Sequence, residues 1–244
     1  MRTIIRGVFK YGKSQGFTAI SITTFFGDLE LSRKAFARKK IDKETEVFNE
    51  TEIALVKSYL RKRGTIRDLG VLLAFETGVR VGELSALKKE DILRNRRCIH
   101  IQRTEVTYKD PETKERICEV RDFPKSEAGD RYLMIPESAV EILDSIMKLS
   151  KNSEYLFSEG GKRVRSNAFN RRLTRVCDEL HLKHRSMHKI RKTYGTTLLD
   201  ANVDESTVAE QMGHKDIATT KRFYYRSNKS DNTKLEQINR ALSC

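Results

Sequence analysis

Apolar residues fall three and four apart along most of this chain, but between residues 98 and 135 the period drops to two. CIHIQRTEVTY and RICEVRDF alternate and are rich in β-branched residues, with KDPETKE and its Pro111 between them, so they read as the two strands of a hairpin. A turn carrying Gly129 leads into a third strand at about 131–135. The fold class is therefore mixed α+β, mostly α-helical with a small three-stranded antiparallel sheet.

On either side of the sheet the helices carry their own signals. FNETEIALVKSYLRKR opens with Asn49 as cap and Glu52 three residues on, while Ile53, Val56 and Leu60 trace one face. An apolar helix follows at roughly 66–77, then a turn at Gly78 and a second helix from Gly82. PESAVEILDSIMKLS and SNAFNRRLTRVCDELH are helical, and LFSEGGKRVRS between them reads as a loop turned by its paired glycines. At the amino terminus, residues 1–15 place Ile4, Ile5, Val8 and Tyr11 or Phe9 on one face of a short amphipathic helix. One such helix has nothing local to bury its stripe against. Residues 16–48 read as connector ending in the charged linker ARKKIDKETE, with a domain boundary near residue 45.

The chain carries 48 Lys+Arg against 34 Asp+Glu, a net charge of +14, which favours a polyanionic partner, nucleic acid first. The cations are spread in clusters (ARKK at 37–40, RKR at 61–63, RNRR at 94–97, KRVR at 162–165, RR at 171–172), as on a surface that wraps its ligand. Cys98, Cys118, Cys177 and Cys244 show no CxxC spacing and make no zinc pattern with the histidines, so they read as reduced thiols. The longest apolar run, VLLAF at 71–75, is far short of the roughly 20 residues that span a bilayer, and no signal peptide opens the chain. A soluble cytoplasmic protein is expected.

Chemistry concentrates between His188 and Tyr225. His188 and Arg191 form an HxxR pair, three residues apart on one helical face, where they can address one anion. Gly213 and His214 follow, then Tyr224 and Tyr225, ten and eleven residues past His214. A phosphodiester is cut by metal-activated water or by a side-chain nucleophile with cations neutralising the phosphoryl oxygens. This stretch supplies a nucleophile and cations.

Upstream, Thr77, Gly78, Arg80, Glu83 and Leu84 spell TGxRxxEL, and Lys125 lies in the turn before the third strand. In this order the residues resemble the tyrosine recombinase (phage integrase) family. The resemblance implies a catalytic set of Arg80, Lys125, His188, Arg191, His214 and Tyr224. It implies arginines on the phosphoryl oxygens, His214 as a further donor, His188 as base and Lys125 as acid to the departing 5′ oxygen. Tyr224 follows Phe223, as the family's nucleophile follows an aliphatic or aromatic residue; Tyr225 stays open as the alternative. Glu83 is expected to orient the turn or an arginine, and His100, His181 and His184 to stay outside the chemistry.

The same resemblance implies residues 1–45 as the last helix of a core-binding domain with its linker, and residues 46–244 as the catalytic domain. The implied activity is site-specific strand exchange by a mobile-element integrase through a 3′-phosphotyrosine, with neither metal nor cofactor. Type IB topoisomerase-like relaxation and a truncated DNA-binding remnant are the alternatives. Implied partners are double-stranded DNA, accessory DNA-bending proteins and three further copies in a nucleoid-associated homo-tetramer. The carboxy-terminal helix with Leu235, Ile238 and Leu242 would dock on its own domain or on a neighbouring subunit.

Overall fold

The computed structural model describes residues 2–28, 45–122 and 130–214, together with 229, 233, 235, 236 and 239. The chain divides into two compact units, Met1–Ile41 and Asp42–Cys244. In the first, the amphipathic stripe forms α1 (Arg2–Ser14), and the expected connector contains a short helix, α2 (Ile22–Asp28). Phe25 gives that helix its reason, since its ring meets Phe9 of α1 at 4.6 Å between centroids. Ile4, Val8 and Tyr11 remain exposed.

The second unit is built around one buried helix. α3 (Glu50–Arg63) and α4 (Ile66–Thr77) each start in a capping box, Asn49 with Glu52 and Thr65 with Asp68, and each stops at a left-handed glycine, Gly64 and Gly78. Every residue from Asp68 to Phe75 is buried, because α3, α6 (Glu137–Leu149), α7 (Ser166–Glu179) and α8 (Met187–Asp200) pack around α4. After α4 come α5 (Val81–Ala86) and the edge strand β1 (Ile92–Leu93). α9 (Glu205–Met212) packs Val208 and Met212 against Tyr194, Leu198 and Leu199 of α8. No helix among the described residues is long and apolar enough to cross a membrane.

The sheet keeps its size and changes its strands. CIHIQRTEVTY is broken at Gln102 and Arg103, whose side chains both donate to the buried Asp91 carboxylate at 2.7 Å. Before the break, β2 (Cys98–Ile101) lies between β1 and β5 (Arg131–Met134), antiparallel to both, in a three-stranded sheet with Ile99 opposite Leu133. After it, β3 (Thr104–Lys109) and β4 (Arg116–Arg121) pair as a separate hairpin. The stretch read as a glycine loop holds a second small hairpin, β6 (Ser158–Glu159) with β7 (Lys162–Arg163). Glu105 of β3 ties these parts together, accepting from Ser85 of α5, Arg163 of β7, and the Ser166 hydroxyl and backbone N–H that open α7. The expected carboxy-terminal helix lies mostly outside the described residues; Leu235 within it is exposed.

Candidate active site

Three arginines converge on the carboxyl end of α9. A helix ends with unpaired carbonyls and a partial negative charge, so cations are stabilised there. Here three consecutive carbonyls each take a different guanidinium. Gln211 O accepts from Arg131 Nε at 3.0 Å, Met212 O accepts from Arg191 Nη2, and Gly213 O accepts from Arg80 Nη2 at 3.1 Å. His214 is the next residue.

Each arginine arrives from a different element. Gly78 ends α4 in the left-handed region, turning the chain so that Arg80 stands at the start of α5. There its backbone N–H donates to Glu83 Oε2 at 3.0 Å and its Nη1 to Glu83 Oε1 at 2.7 Å, while the Arg80 side chain keeps 42% of its surface exposed. Arg191, one turn after His188 on α8, is by contrast almost wholly buried and donates from Nη1 to Gly78 O at 2.7 Å. Arg131 reaches in from β5 and grips both oxygens of Glu83 at 2.9 and 3.2 Å.

Electrostatics follow from this crowding. Burial alone would push the Glu83 carboxyl up, but Arg131 first, then Arg80 and Arg191, bring it down to about 2. Burial, reinforced by Arg191, Arg80, Arg131 and His188, holds the His214 ring down at about 4. Arg191 Nη2 lies 3.2 Å from His214 Nε2, and a guanidinium only donates, so Nε2 accepts and the neutral ring keeps its proton on Nδ1. His188 is exposed, and its pKa is lowered by partial burial and then by Lys192, Arg191 and Lys189. Tyr194, whose ring covers Gly78, is pushed up to about 12 by burial, which makes it a poor nucleophile.

Of the residues singled out in the sequence, Arg191 and His214 meet directly, Arg80 joins them through the carbonyl of Gly213, and His188 adds its field to His214. Glu83 orients Arg80, in keeping with its expected part. Lys125, Tyr224 and Tyr225 lie outside the described residues. His100 stacks on Tyr132 and bonds Asp130, and His184 bonds Asp178. Arg131 and Gln211 are additions to the sequence reading. Arg131 had a visible signal: it shares the core-facing register of its strand with Leu133 and Ile135, and a charge placed there requires a buried partner.

The phage integrase family profile matches residues 44–231. The chain belongs to the phage integrase family. Among its curated relatives, a XerC-like tyrosine recombinase of Caldanaerobacter subterraneus subsp. tengcongensis is 27% identical over 241 residues, covering 92% of this chain and 60% of that protein. The probable integrase of prophage ps2 from Lactococcus lactis subsp. lactis is 28% identical over 216 residues, 80% of this chain and 54% of that one. This integrase-family chain thus spans between 54% and 60% of the length of these two relatives. In fold it is similar to the Tn1549 transposon integrase solved with transposon right end DNA, with a TM-score of 0.67 at 17% identity over 87% of this chain and 70% of that one. The XerA recombinase gives 0.62 at 21% identity, over 88% and 69%.

Proposed function

We propose that this integrase-family chain is the catalytic part of a site-specific DNA recombinase that cuts and rejoins strands for a mobile element. The observation that carries the reading is the gathering of Arg80, Arg191 and His214 at the end of α9, with Arg80 still open to an incoming anion. In this reading residues 46–244 form the catalytic domain and residues 1–45 the end of a core-binding half.

The scissile phosphate docks against the exposed Arg80, with the charge of buried Arg191 on the neighbouring carbonyl, and the two cations stabilise the charge that grows on the phosphoryl oxygens in the transition state. Tyr224 attacks phosphorus while His188 accepts its phenolic proton. His188 suits the role of base, since its lowered pKa leaves it unprotonated at neutral pH. The P–O5′ bond breaks, and Lys125 gives a proton to the departing oxygen. The products are a 3′-phosphotyrosine and a free 5′ hydroxyl. Attack by a 5′ hydroxyl from a second duplex reverses each transfer and completes the exchange, and no high-energy nucleotide enters because the phosphodiester survives as a covalent bond.

Double-stranded DNA is the substrate, which places the protein on the nucleoid in the cytoplasm. A groove of about 670 Å³ lined by Arg67, Lys162, Arg165 and Arg171 supports a wide phosphate-binding surface. Four copies act together, with the carboxy-terminal segment as the contact between neighbours and DNA-bending proteins as accessories.

Covalent trapping tests the reading. The chain is incubated without added metal with nicked duplexes whose short 5′ fragment dissociates on cleavage, then denatured and inspected for protein joined to DNA. Wild type, Tyr224→Phe and Tyr225→Phe run together. An adduct lost only in Tyr224→Phe is expected, and loss only in Tyr225→Phe moves the nucleophile by one residue. No adduct, even after fusion to a core-binding half from a relative, overturns the proposal.

A further inference from the structure

We propose that Arg131 is a positioning residue: it locks Glu83 and the carboxyl end of α9 into one frame, and through that frame sets where Arg80 meets a phosphate. The inference rests on reading the arginine cluster as a phosphate site. Its structural basis is a buried side chain that joins three elements distant in sequence. Arg131 lies on β5, both its Nη atoms bond Glu83 of α5, and its Nε bonds Gln211 O at the end of α9. A second stitch runs beside it, from the Met134 backbone N–H to Gln211 Oε1 at 2.9 Å.

Glu83 is the shared element. One arginine on it is sealed, Arg131 with 5% of its side chain exposed, and the other is open, Arg80 with 42%. The sealed partner fixes the carboxylate plane by bidentate contact, and that plane in turn directs Arg80 through two bonds, to its backbone N–H and to Nη1. Without Arg131 the buried carboxylate keeps Arg80 as its one direct guanidinium partner among the described contacts. It then either draws Arg80 inward or takes up a proton, and both change what Arg80 offers a ligand. Gln211 O would lose its guanidinium in the same stroke, loosening the end of α9 that also holds Arg191 and His214.

Inorganic phosphate is the probe, and the His214 ring signal, identified by its loss in His214→Asn, is the reporter in titrations followed by nuclear magnetic resonance. Wild type, Arg131→Lys, Arg131→Met, Arg80→Ala and the Arg131→Met/Arg80→Ala double are compared. A hydrogen bond to a charged group is worth about 1.5–3 kcal/mol, and about 1.4 kcal/mol is tenfold in affinity, so an Arg80 turned away from its ligand in Arg131→Met is expected to weaken phosphate roughly tenfold or more. Arg131→Lys, which keeps the charge and loses the fork, recovers part of it. In the Arg80→Ala background, Arg131→Met adds less than about twofold, because its effect passes through Arg80. A residue that merely stabilises the fold would multiply the two losses.

If Arg131→Met does not fold, Arg131→Met/Glu83→Met removes both charges and keeps an apolar frame; phosphate binding weakened in that folded variant, and to the same degree as in Glu83→Met alone, supports an Arg131 that acts through Glu83. Phosphate affinity unchanged in Arg131→Met, or in the double Met variant where only that folds, overturns the assignment. So do independent losses in the cycle or a wild-type His214 that ignores phosphate. The covalent trapping assay is run alongside: a wild type that binds phosphate at His214 but forms no adduct counts against recombination and leaves the role of Arg131 standing.

Discussion

Arg80 and Arg191 bring the same charge to the same place from opposite surroundings, and substitutions should separate them. Arg191 is buried and bonds Gly78 O, Met212 O and His214 Nε2. Arg191→Ala strands two buried carbonyls and is expected to cost on the order of 3 kcal/mol in urea unfolding. Arg80 is more than one-third exposed, so solvent screens its bonds, and Arg80→Ala should cost less than about 1 kcal/mol. Both should slow adduct formation by roughly 10²–10³-fold, the loss that follows removal of one transition-state donor. Comparable stability losses would contradict the burial argument. His214 adds a pH signature. Its folded pKa of about 4 lies below the ordinary 6.5, so the unfolded chain binds more protons between those values. The stability this contributes is fully present above about pH 6.5 and drains as pH falls toward 4; His214→Asn should flatten that part of the unfolding profile. Arg80, Arg191 and His214 were legible because each sits in a short motif, TGxRxxEL, HxxR and GH. Arg131 showed its buried placement in the strand register, but not its two partners, which lie 48 and 80 residues away.

Element boundaries explain why the cluster assembles at all. Gly78 has a φ of +61°, its carbonyl receives Arg191, and a Cβ there would stand 2.2 Å from the Tyr194 ring. Gly64 has the same φ, but its Cβ would meet nothing closer than the Arg61 carbonyl at 3.6 Å. The pair separates backbone strain from crowding. Gly64→Ala should cost about 1–2 kcal/mol and leave adduct formation intact, since only the left-handed conformation is penalised. Gly78→Ala carries that cost plus about 1–3 kcal/mol of overpacking, and should lower the adduct rate because Arg80 and the Arg191 acceptor both move. Thermal unfolding beside the trapping assay decides, and equal effects at the two glycines would refute the role given to the α4–α5 turn. The helices themselves were readable: Asn49 with Glu52 announces α3, and Gly78 ends α4. The strands were readable in period and not in partner. Alternation looks the same on both sides of Gln102 and Arg103, whereas the break between β2 and β3 is made by Asp91, a residue outside the run. The β6–β7 hairpin leaves no signal in the sequence because it is two residues per strand, too short to show a period.

At the scale of the whole molecule, a net charge of +14 matters chiefly through where it is displayed. Much of the interior charge is neutralised in place: Arg172 bonds Asp68, Arg185 bonds Glu52, and Lys189 and Lys192 share Glu46. Lys162, Arg165, Arg171 and Arg175 instead stand exposed along β7 and one side of α7, the first three on the 670 Å³ groove. A duplex held there releases counterions, so affinity should fall with salt at a log–log slope of about −0.9 for each phosphate neutralised. Arg171→Gln and Arg175→Gln are each expected to reduce that slope by about 1 on any sequence, since a phosphate contact carries no base information. Lys148→Gln and Lys151→Gln, exposed on α6 and just after it, serve as controls that should leave the slope unchanged. Fluorescence anisotropy of a labelled random duplex between 50 and 200 mM salt, on the order of the range where such contacts are most visible, makes the measurement. Equal slope changes from both pairs would mean that affinity follows net charge alone and that the exposed side of α7 has no special claim on DNA. A change confined to the α7 pair would instead place the phosphate track beside the helix whose first turn Glu105 secures to α5, the element that carries Arg80 at its start.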